Sequence, residues 1–77
     1  MRKVILPELG QGIEHAAVSF WFFKEGDPIK DKEDLVELTT DKAAFNLPSP
    51  CAGTVTQIFF HEGDKVNVGE VLCLIEE

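Results

Sequence analysis

Residues 22–40 are repeated at residues 59–77, and that repetition limits the folds open to this chain more than any other feature. Phe22-Phe23-Lys24-Glu25-Gly26-Asp27 stands against Phe59-Phe60-His61-Glu62-Gly63-Asp64, with Glu33 against Glu70 and Leu35 against Leu72, all at an offset of 37. Seven of the nineteen aligned positions are identical, Ile29/Val66 and Leu38/Ile75 are conservative, and the match reaches back to Val18/Val55. Two copies are too few for a solenoid, in which at least three stacked units share a continuous core. Two half-units that close one core against each other, related by an approximate two-fold, satisfy the pattern. With 77 residues there is room for one such core and little besides, because a short chain buries a smaller share of its surface on folding. Residues 1–77 are therefore read as a single domain.

Each copy reads as strands. Val, Ile, Phe, Thr and Leu dominate short runs that Gly, Pro and Asp punctuate. Pro7, Pro28, Pro48 and Pro50 interrupt most windows long enough for a helix, and none of those windows carries a clean helical period. Strands are expected near residues 3–6, 16–23, 28–30, 35–39, 44–47, 54–60, 65–67 and 71–75. In the longer strands the matched apolar positions are Val18, Trp21, Phe23 and Val55, Ile58, Phe60. Steps of three and then two break strict alternation, and a break present in both copies points to a β-bulge that re-aims the strand. Phe20 and Phe22 then flank Trp21 from the other face, as an exposed aromatic patch unless the bulge buries one of them. Glu-Gly-Asp at 25–27 and 62–64 supplies turns in which glycine takes positive φ. The expected fold class is all-β: a flattened barrel or sandwich of two four-stranded antiparallel sheets with pseudo-two-fold symmetry.

Composition argues against several classes of function. Seven basic against fourteen acidic residues give a net charge of −7, the wrong sign for binding nucleic acid or an anionic membrane. That charge suits solubility and partners with basic docking surfaces. The apolar run at residues 16–23 falls far short of the ~20 residues needed to cross a bilayer. Arg2 and Lys3 precede only Val4, Ile5 and Leu6 before Pro7, so no secretory signal is expected. The chain reads as cytoplasmic, or as a domain excised from a longer protein (of the mitochondrial matrix if eukaryotic). Cys51 and Cys73 have no metal-ligand spacing and share none with His15 or His61, so no metal site is expected. Cys73, within Val71-Leu72-Cys73-Leu74-Ile75, reads as a buried apolar thiol, and the two cysteines as free. No Ser, His and Asp arrangement or paired carboxylates mark an enzyme.

The copies differ in one place. Thr40 aligns with Glu77, so Thr40-Asp41-Lys42-Ala43 has no counterpart after the second copy. The strands at 35–39 and 44–47 are close enough to pair as a hairpin with Asp41 and Lys42 at its tip. The two-fold then sets the chain termini at the equivalent position, so Lys42 projects from one end of the molecule and the termini leave from the other. On position alone, a lysine at a tip is a solvated charge.

Its surroundings change that reading. Leu6-Pro7, Gly10-Gln11-Gly12-Ile13, Trp21 and Lys24-Glu25-Gly26-Asp27 precede the turn, and Leu35-Val36-Glu37 leads into it. Pro48-Ser49-Pro50, Ala52-Gly53 and Glu62-Gly63-Asp64 follow, with Gly26 sixteen residues before Lys42 and Gly53 eleven after. In this combination the chain resembles, over essentially its whole length, the lipoyl domains of 2-oxoacid dehydrogenase acyltransferases. Two positions depart from the family's habit: Thr39 stands where Glu is common, and Lys32 where Gly is common and where the second copy has Gly69. A turn made at Lys32 without glycine costs on the order of 1 kcal/mol. Biotinyl carrier domains share the repeat and the central lysine but typically place methionine on both sides of it; here the neighbours are Asp41 and Ala43, and Met1 is the only methionine. The glycine-cleavage carrier is a longer chain, and an unmodified adaptor sandwich would leave the Asp-Lys-Ala turn an accident.

The resemblance implies a non-catalytic carrier with lipoic acid in amide linkage to the ε-amine of Lys42, flanked by Asp41 and Ala43. An acceptor lysine must be reachable, rigidly presented and free of a carboxylate that would lock it. It supplies only a nucleophile, and activation of the acid belongs to a lipoate ligase or a lipoyl/octanoyl transferase. In the family a thiamine-diphosphate-dependent 2-oxoacid dehydrogenase component acylates the dithiolane. An acyltransferase core moves the acyl group to coenzyme A, and the flavoprotein dihydrolipoyl dehydrogenase reoxidises the dithiol. Partner recognition is assigned by the same resemblance to the loop Gly10, Gln11, Gly12, Ile13 and Glu14.

Overall fold

The computed structural model describes residues 1–77 as eight strands without a helix. They are β1 (Arg2–Ile5), β2 (His15–Trp21), β3 (Pro28–Ile29), β4 (Asp34–Thr39), β5 (Ala44–Pro48), β6 (Gly53–Ile58), β7 (Lys65–Asn67) and β8 (Val71–Glu76). All pairings are antiparallel, and two four-stranded sheets result, ordered β1-β8-β6-β3 and β5-β4-β2-β7. Exchanging β1 with β5, β2 with β6, β3 with β7 and β4 with β8 turns either order into the other, so the repeat in the sequence is a two-fold in the topology. The register obeys it residue by residue. Arg2 opposite Ile75 matches Phe45 opposite Leu38, and Ala17 opposite Thr39 matches Thr54 opposite Glu76.

Each sheet holds strands from both halves, and the turns between β2 and β3 and between β6 and β7 stitch them together. In these turns the Asp27 and Asp64 carboxylates accept the N–H groups of Lys24 and His61 at 2.9 and 2.8 Å. Gly26 and Gly63 sit at φ of 95° and 93°, which only glycine adopts without strain. Their N–H groups donate across the molecule, Gly26 to the Val55 carbonyl at 2.6 Å and Gly63 to the Val18 carbonyl at 2.8 Å. The N–H groups of Val55 and Val18 donate back to the Asp27 and Asp64 carbonyls, both at 2.9 Å.

The bulge expected in both long strands is present: the register slips between Val18 and Phe20 against β4, and between Val55 and Gln57 against β8. Matching slips at Val4/Ile5 and Asp34/Val36 carry no such sign in the sequence. Strand pairing ends at Trp21 and Ile58, two residues short of the expected ends. After Phe22 and Phe59 donate to the Leu35 and Leu72 carbonyls, the backbone leaves the sheet for the crossing turn, while Phe23 and Phe60 still pack on the core. Phe20 and Phe22 stay outside, 49% and 42% exposed, edge to face with ring centroids 5.1 Å apart.

Leu6, Leu35 and Leu38 from one copy meet Val55, Leu72 and Ile75 from the other in a core where all six are fully buried. Trp21 departs from the symmetry, since its indole N–H donates to the Phe60 carbonyl at 2.9 Å and its counterpart Ile58 has no such donor. Lys32 does adopt the left-handed conformation, φ 71° against 93° at Gly69, because its N–H must reach the Ser49 carbonyl as that of Gly69 reaches Leu6. Gly53 has a different reason for being glycine. A Cβ there would lie 2.2 Å from the Glu76 carbonyl oxygen and 2.8 Å from Cγ2 of Ile75. The collision is with backbone, so Gly53→Ala must part β6 from β8. We expect a loss of about 2–3 kcal/mol, read as a lower urea midpoint at unchanged slope.

Cys51 and Cys73 are both free and buried. Burial, and secondarily the neighbouring Cys51, pushes the Cys73 thiol up to about 12; Cys51 is raised as well, first by burial and then by Glu77. A raised thiol favours the folded state while protonated, so this contribution is whole below the unfolded-chain thiol pKa and is lost as pH climbs toward the folded value. Urea midpoints should therefore decline above about pH 9, more shallowly in a Cys73→Ala variant, and a thiol reagent at pH 8 should label neither cysteine until the chain unfolds.

Candidate functional site

The β4–β5 hairpin is the one pairing between consecutive strands, and it ends in Thr40, Asp41, Lys42 and Ala43. Thr39 pairs with Ala44, and the Thr40 N–H donates to the Ala43 carbonyl at 2.8 Å. Neither Asp41 nor Lys42 has positive φ, so the tip is not one of the primed turns whose twist matches a hairpin. The Thr40 side chain closes it. Its Oγ1 accepts the N–H groups of Lys42 and Ala43, each at 3.3 Å, and donates to the Ala43 carbonyl at 3.1 Å. One residue earlier the Thr39 hydroxyl is hydrogen-bonded to that of Ser19, the residue the β2 bulge leaves unpaired.

Asp41, Lys42 and Ala43 are exposed. The single ion pair of the chain, Arg2 to Glu77 at 3.2 Å, joins the termini, so no carboxylate holds the Lys42 amine. That pair marks the two-fold equivalent of the hairpin tip. From the tip, β2 runs back along β4 to its crossing turn, which bonds Val55 beside the Thr54–Glu76 pair. Tip and termini thus lie at opposite ends of the sandwich, as the repeat implies.

The loop between β1 and β2 folds back against the tip. Gly10 and Gly12 take positive φ, and the Ile13 N–H donates to the Gly10 carbonyl at 3.2 Å, leaving Gln11 exposed at the outside of the turn. Ile13 is half-buried and lines two cavities beside the hairpin. One, of about 390 Å³, lies between Gly12, Ile13, Glu14 and the tip residues Asp41 and Lys42; the other, of about 320 Å³, adjoins Leu9, Ala43 and Phe45. The Glu14 carbonyl accepts the Val68 N–H at 2.9 Å and so ties the loop to the second half. Of the five loop residues singled out in the sequence, Gly12, Ile13 and Glu14 share a cavity with Lys42, whereas Gly10 and Gln11 line neither. His15 and Lys65, neither of which stands out in the sequence as a binding residue, line the larger cavity. Their placement follows from the β2–β7 pairing of Ala17 with Lys65, a contact visible only once the half-units are known to interleave.

Chemically, the tip offers a reachable primary amine on a hydrogen-bonded turn with open space on both sides. That fits a group held through an amide bond. A larger depression, about 560 Å³, lies between the two crossing turns with Trp21, Lys24, Ile58 and His61 in its wall, apart from Lys42.

Known proteins carry this architecture. The chain is 40% identical over 75 residues to the dihydrolipoyllysine-residue succinyltransferase component of the 2-oxoglutarate dehydrogenase complex of Rickettsia felis, a span of 97% of this chain and 19% of that protein. It is 38% identical over 71 residues to the acetyltransferase component of the pyruvate dehydrogenase complex of Staphylococcus aureus, covering 92% and 16% respectively. The chain therefore spans less than a fifth of the length of these relatives. The solution structure of the lipoyl domain of the 2-oxoglutarate dehydrogenase complex of Azotobacter vinelandii superposes with a TM-score of 0.80 at 29% identity, covering 97% of this chain and 95% of that one. A segment of a multi-domain long-chain acyl-CoA carboxylase shares the fold alone, with a TM-score of 0.71 at 24% identity over 86% of this chain and 7% of that one. A family model described as biotin-requiring enzyme matches residues 2–75, and the chain belongs to this biotin/lipoyl family: it is a small carrier domain for a covalently attached lipoyl or biotinyl group.

Proposed function

We propose that the carried group is lipoic acid, that Lys42 is its attachment residue, and that the chain serves a 2-oxoacid dehydrogenase complex as the mobile carrier of an acyltransferase component. The observation that carries this reading is the exposed Lys42 amine, unpaired at the tip of the one local hairpin and set between Asp41 and Ala43 rather than between methionines. Amide formation joins the ε-nitrogen to the activated carboxyl carbon of the acid, with loss of a proton from the amine and of the activating group. One positive charge disappears, taking the formal charge from −7 to −8.

When bound, the dithiolane supplies the thiols that accept an acyl group and two electrons; the chain supplies its anchorage and controls what approaches it. A tethered group acts at an effective concentration set by its tether, up to the millimolar range for short ones. The expected partners are the thiamine-diphosphate-dependent dehydrogenase, dihydrolipoyl dehydrogenase, the acyltransferase core and the attaching enzyme. That Gly12, Ile13 and Glu14 line a cavity with Lys42 supports their being read together by a docking partner, on a turn closed by the Ile13 N–H to Gly10 carbonyl bond.

Intact and peptide mass spectrometry of the chain co-expressed with active lipoate- and biotin-attaching enzymes tests the assignment. A lipoyl or octanoyl increment on Lys42 alone is expected, and its absence from Lys42→Ala, whose melting temperature should stay within about 2 °C of the parent's. A biotinyl increment would overturn the choice of cofactor; an unmodified Lys42 would overturn the carrier role at this residue. The loop is tested separately, because substitutions at Gln11 or Glu14 should slow reductive acylation by the dehydrogenase several-fold more than they slow lipoylation. Equal effects on both reactions would remove its part in partner recognition.

A further inference from the structure

We propose that Thr40 is a positioning residue for the acylation of Lys42, its hydroxyl holding the hairpin tip in the conformation that the attaching enzyme reads. This rests on the carrier reading of Lys42 given above. A two-residue hairpin tip normally takes positive φ, with glycine or asparagine, because only then does its twist follow that of the strands. Asp41 and Lys42 do neither, so the tip works against the twist of β4 and β5 and needs a restraint from outside its own backbone.

Thr40 supplies that restraint. In a regular two-residue hairpin the Ala43 N–H would bond the Thr40 carbonyl, but here it goes to the Thr40 hydroxyl, and the Lys42 N–H joins it there. The same hydroxyl donates to the Ala43 carbonyl, so one side chain fixes both peptide groups that flank the lysine. No other side chain does so: Asp41 makes no hydrogen bond within the chain, and Thr39 is committed to Ser19 on the neighbouring strand. Hydroxyl-closed turns of this kind are a recognised role of Ser and Thr.

The four-carbon stem of lysine is flexible, so what the hydroxyl fixes is the direction in which Cβ leaves the backbone. An enzyme that takes a protein tip into its active site reads that direction. Freed of the restraint, the tip spreads over several conformers, and apparent affinity falls with the fraction still competent. Once bound, the competent conformer has been selected and turnover is unaffected.

The split between the two kinetic constants is therefore the test. Lipoylation by a purified lipoate ligase with lipoate and ATP is measured at varied concentrations of the parent chain, Thr40→Val and Thr40→Ser. Thr40→Val should raise the KM for the chain about tenfold with kcat within twofold, and Thr40→Ser should restore the parent KM. Amide hydrogen exchange should show protection at Lys42 and Ala43 lost in Thr40→Val alone, while protection in the β1–β8 and β6–β8 pairs stays as in the parent. A Thr40→Val chain with the parent KM, or a Thr40→Ser chain as impaired as Thr40→Val, would overturn the role of Thr40 and leave the carrier reading standing. A parent chain that accepts no lipoyl group would overturn the carrier reading itself.

Discussion

Four backbone hydrogen bonds, two from each crossing turn, make one fold out of two half-units. Gly26 and Asp27 clasp Val55, Gly63 and Asp64 clasp Val18, and each clasp closes only when the other half is in place. Neither half has a sheet of its own: β1 lies against β8, β3 against β6 and β7 against β2, so each sheet takes its central pair from one half and both edge strands from the other. A chain built this way has almost no local pairing from which to start. Non-local pairing must be in place before the clasps contribute, which favours slow and cooperative folding. The β4–β5 hairpin is the exception, the single ladder between consecutive strands.

That exception is where the molecule presents its amine. Because the hairpin pairs with itself, its tip can vary without disturbing the clasps, and the burden of stability rests on residues far from it. The two-fold mate of the tip is closed by different chemistry. There β8 and β1 end as the chain termini, and Arg2 and Glu77 close the gap as an exposed ion pair. At the tip the closing group is a neutral hydroxyl, which leaves the lysine without a carboxylate beside its amine. A carboxylate in the place of Thr40 would hold the ammonium form and compete with any acylating enzyme.

Much of this was legible in the sequence, and for an identifiable reason. A repeat makes each half a control for the other, so a bulge at Val18–Trp21 that recurs at Val55–Ile58 reads as geometry rather than noise. The turns at 25–27 and 62–64, the hairpin, and the strain at Lys32 against Gly69 were all visible by the same comparison. What stayed hidden lacks a counterpart or depends on the second partner in a contact. Thr40 aligns with a terminal Glu77 and so carried no comparative signal. The bond between Ser19 and Thr39 requires the bulge to deliver an unpaired residue opposite the position where the family's Glu is missing. Gly53 matches the family spacing, but its cause, the Glu76 carbonyl, lies on a strand that only the interleaved topology brings alongside. The strand ends were overrun by two residues because apolar character continues into the crossing turns after sheet pairing has stopped.

A swinging group imposes opposite demands on its two ends. The arm must range widely, whereas its root must not, since looseness at the root enlarges the volume searched and lowers the concentration delivered to any one active site. The root must also stand at a set distance from whatever surface a partner recognises. Ile13 is the loop residue that bears on this second demand. Half-buried, it lines both cavities together with Thr40 and Lys42, which sets the β1–β2 loop beside the proposed anchor. Gln11, at the exposed crown of the same turn, lines neither cavity. The Thr40 hydroxyl holds the peptide groups on either side of Lys42, so in the proposed carrier motion is left to the arm beyond the Lys42 backbone.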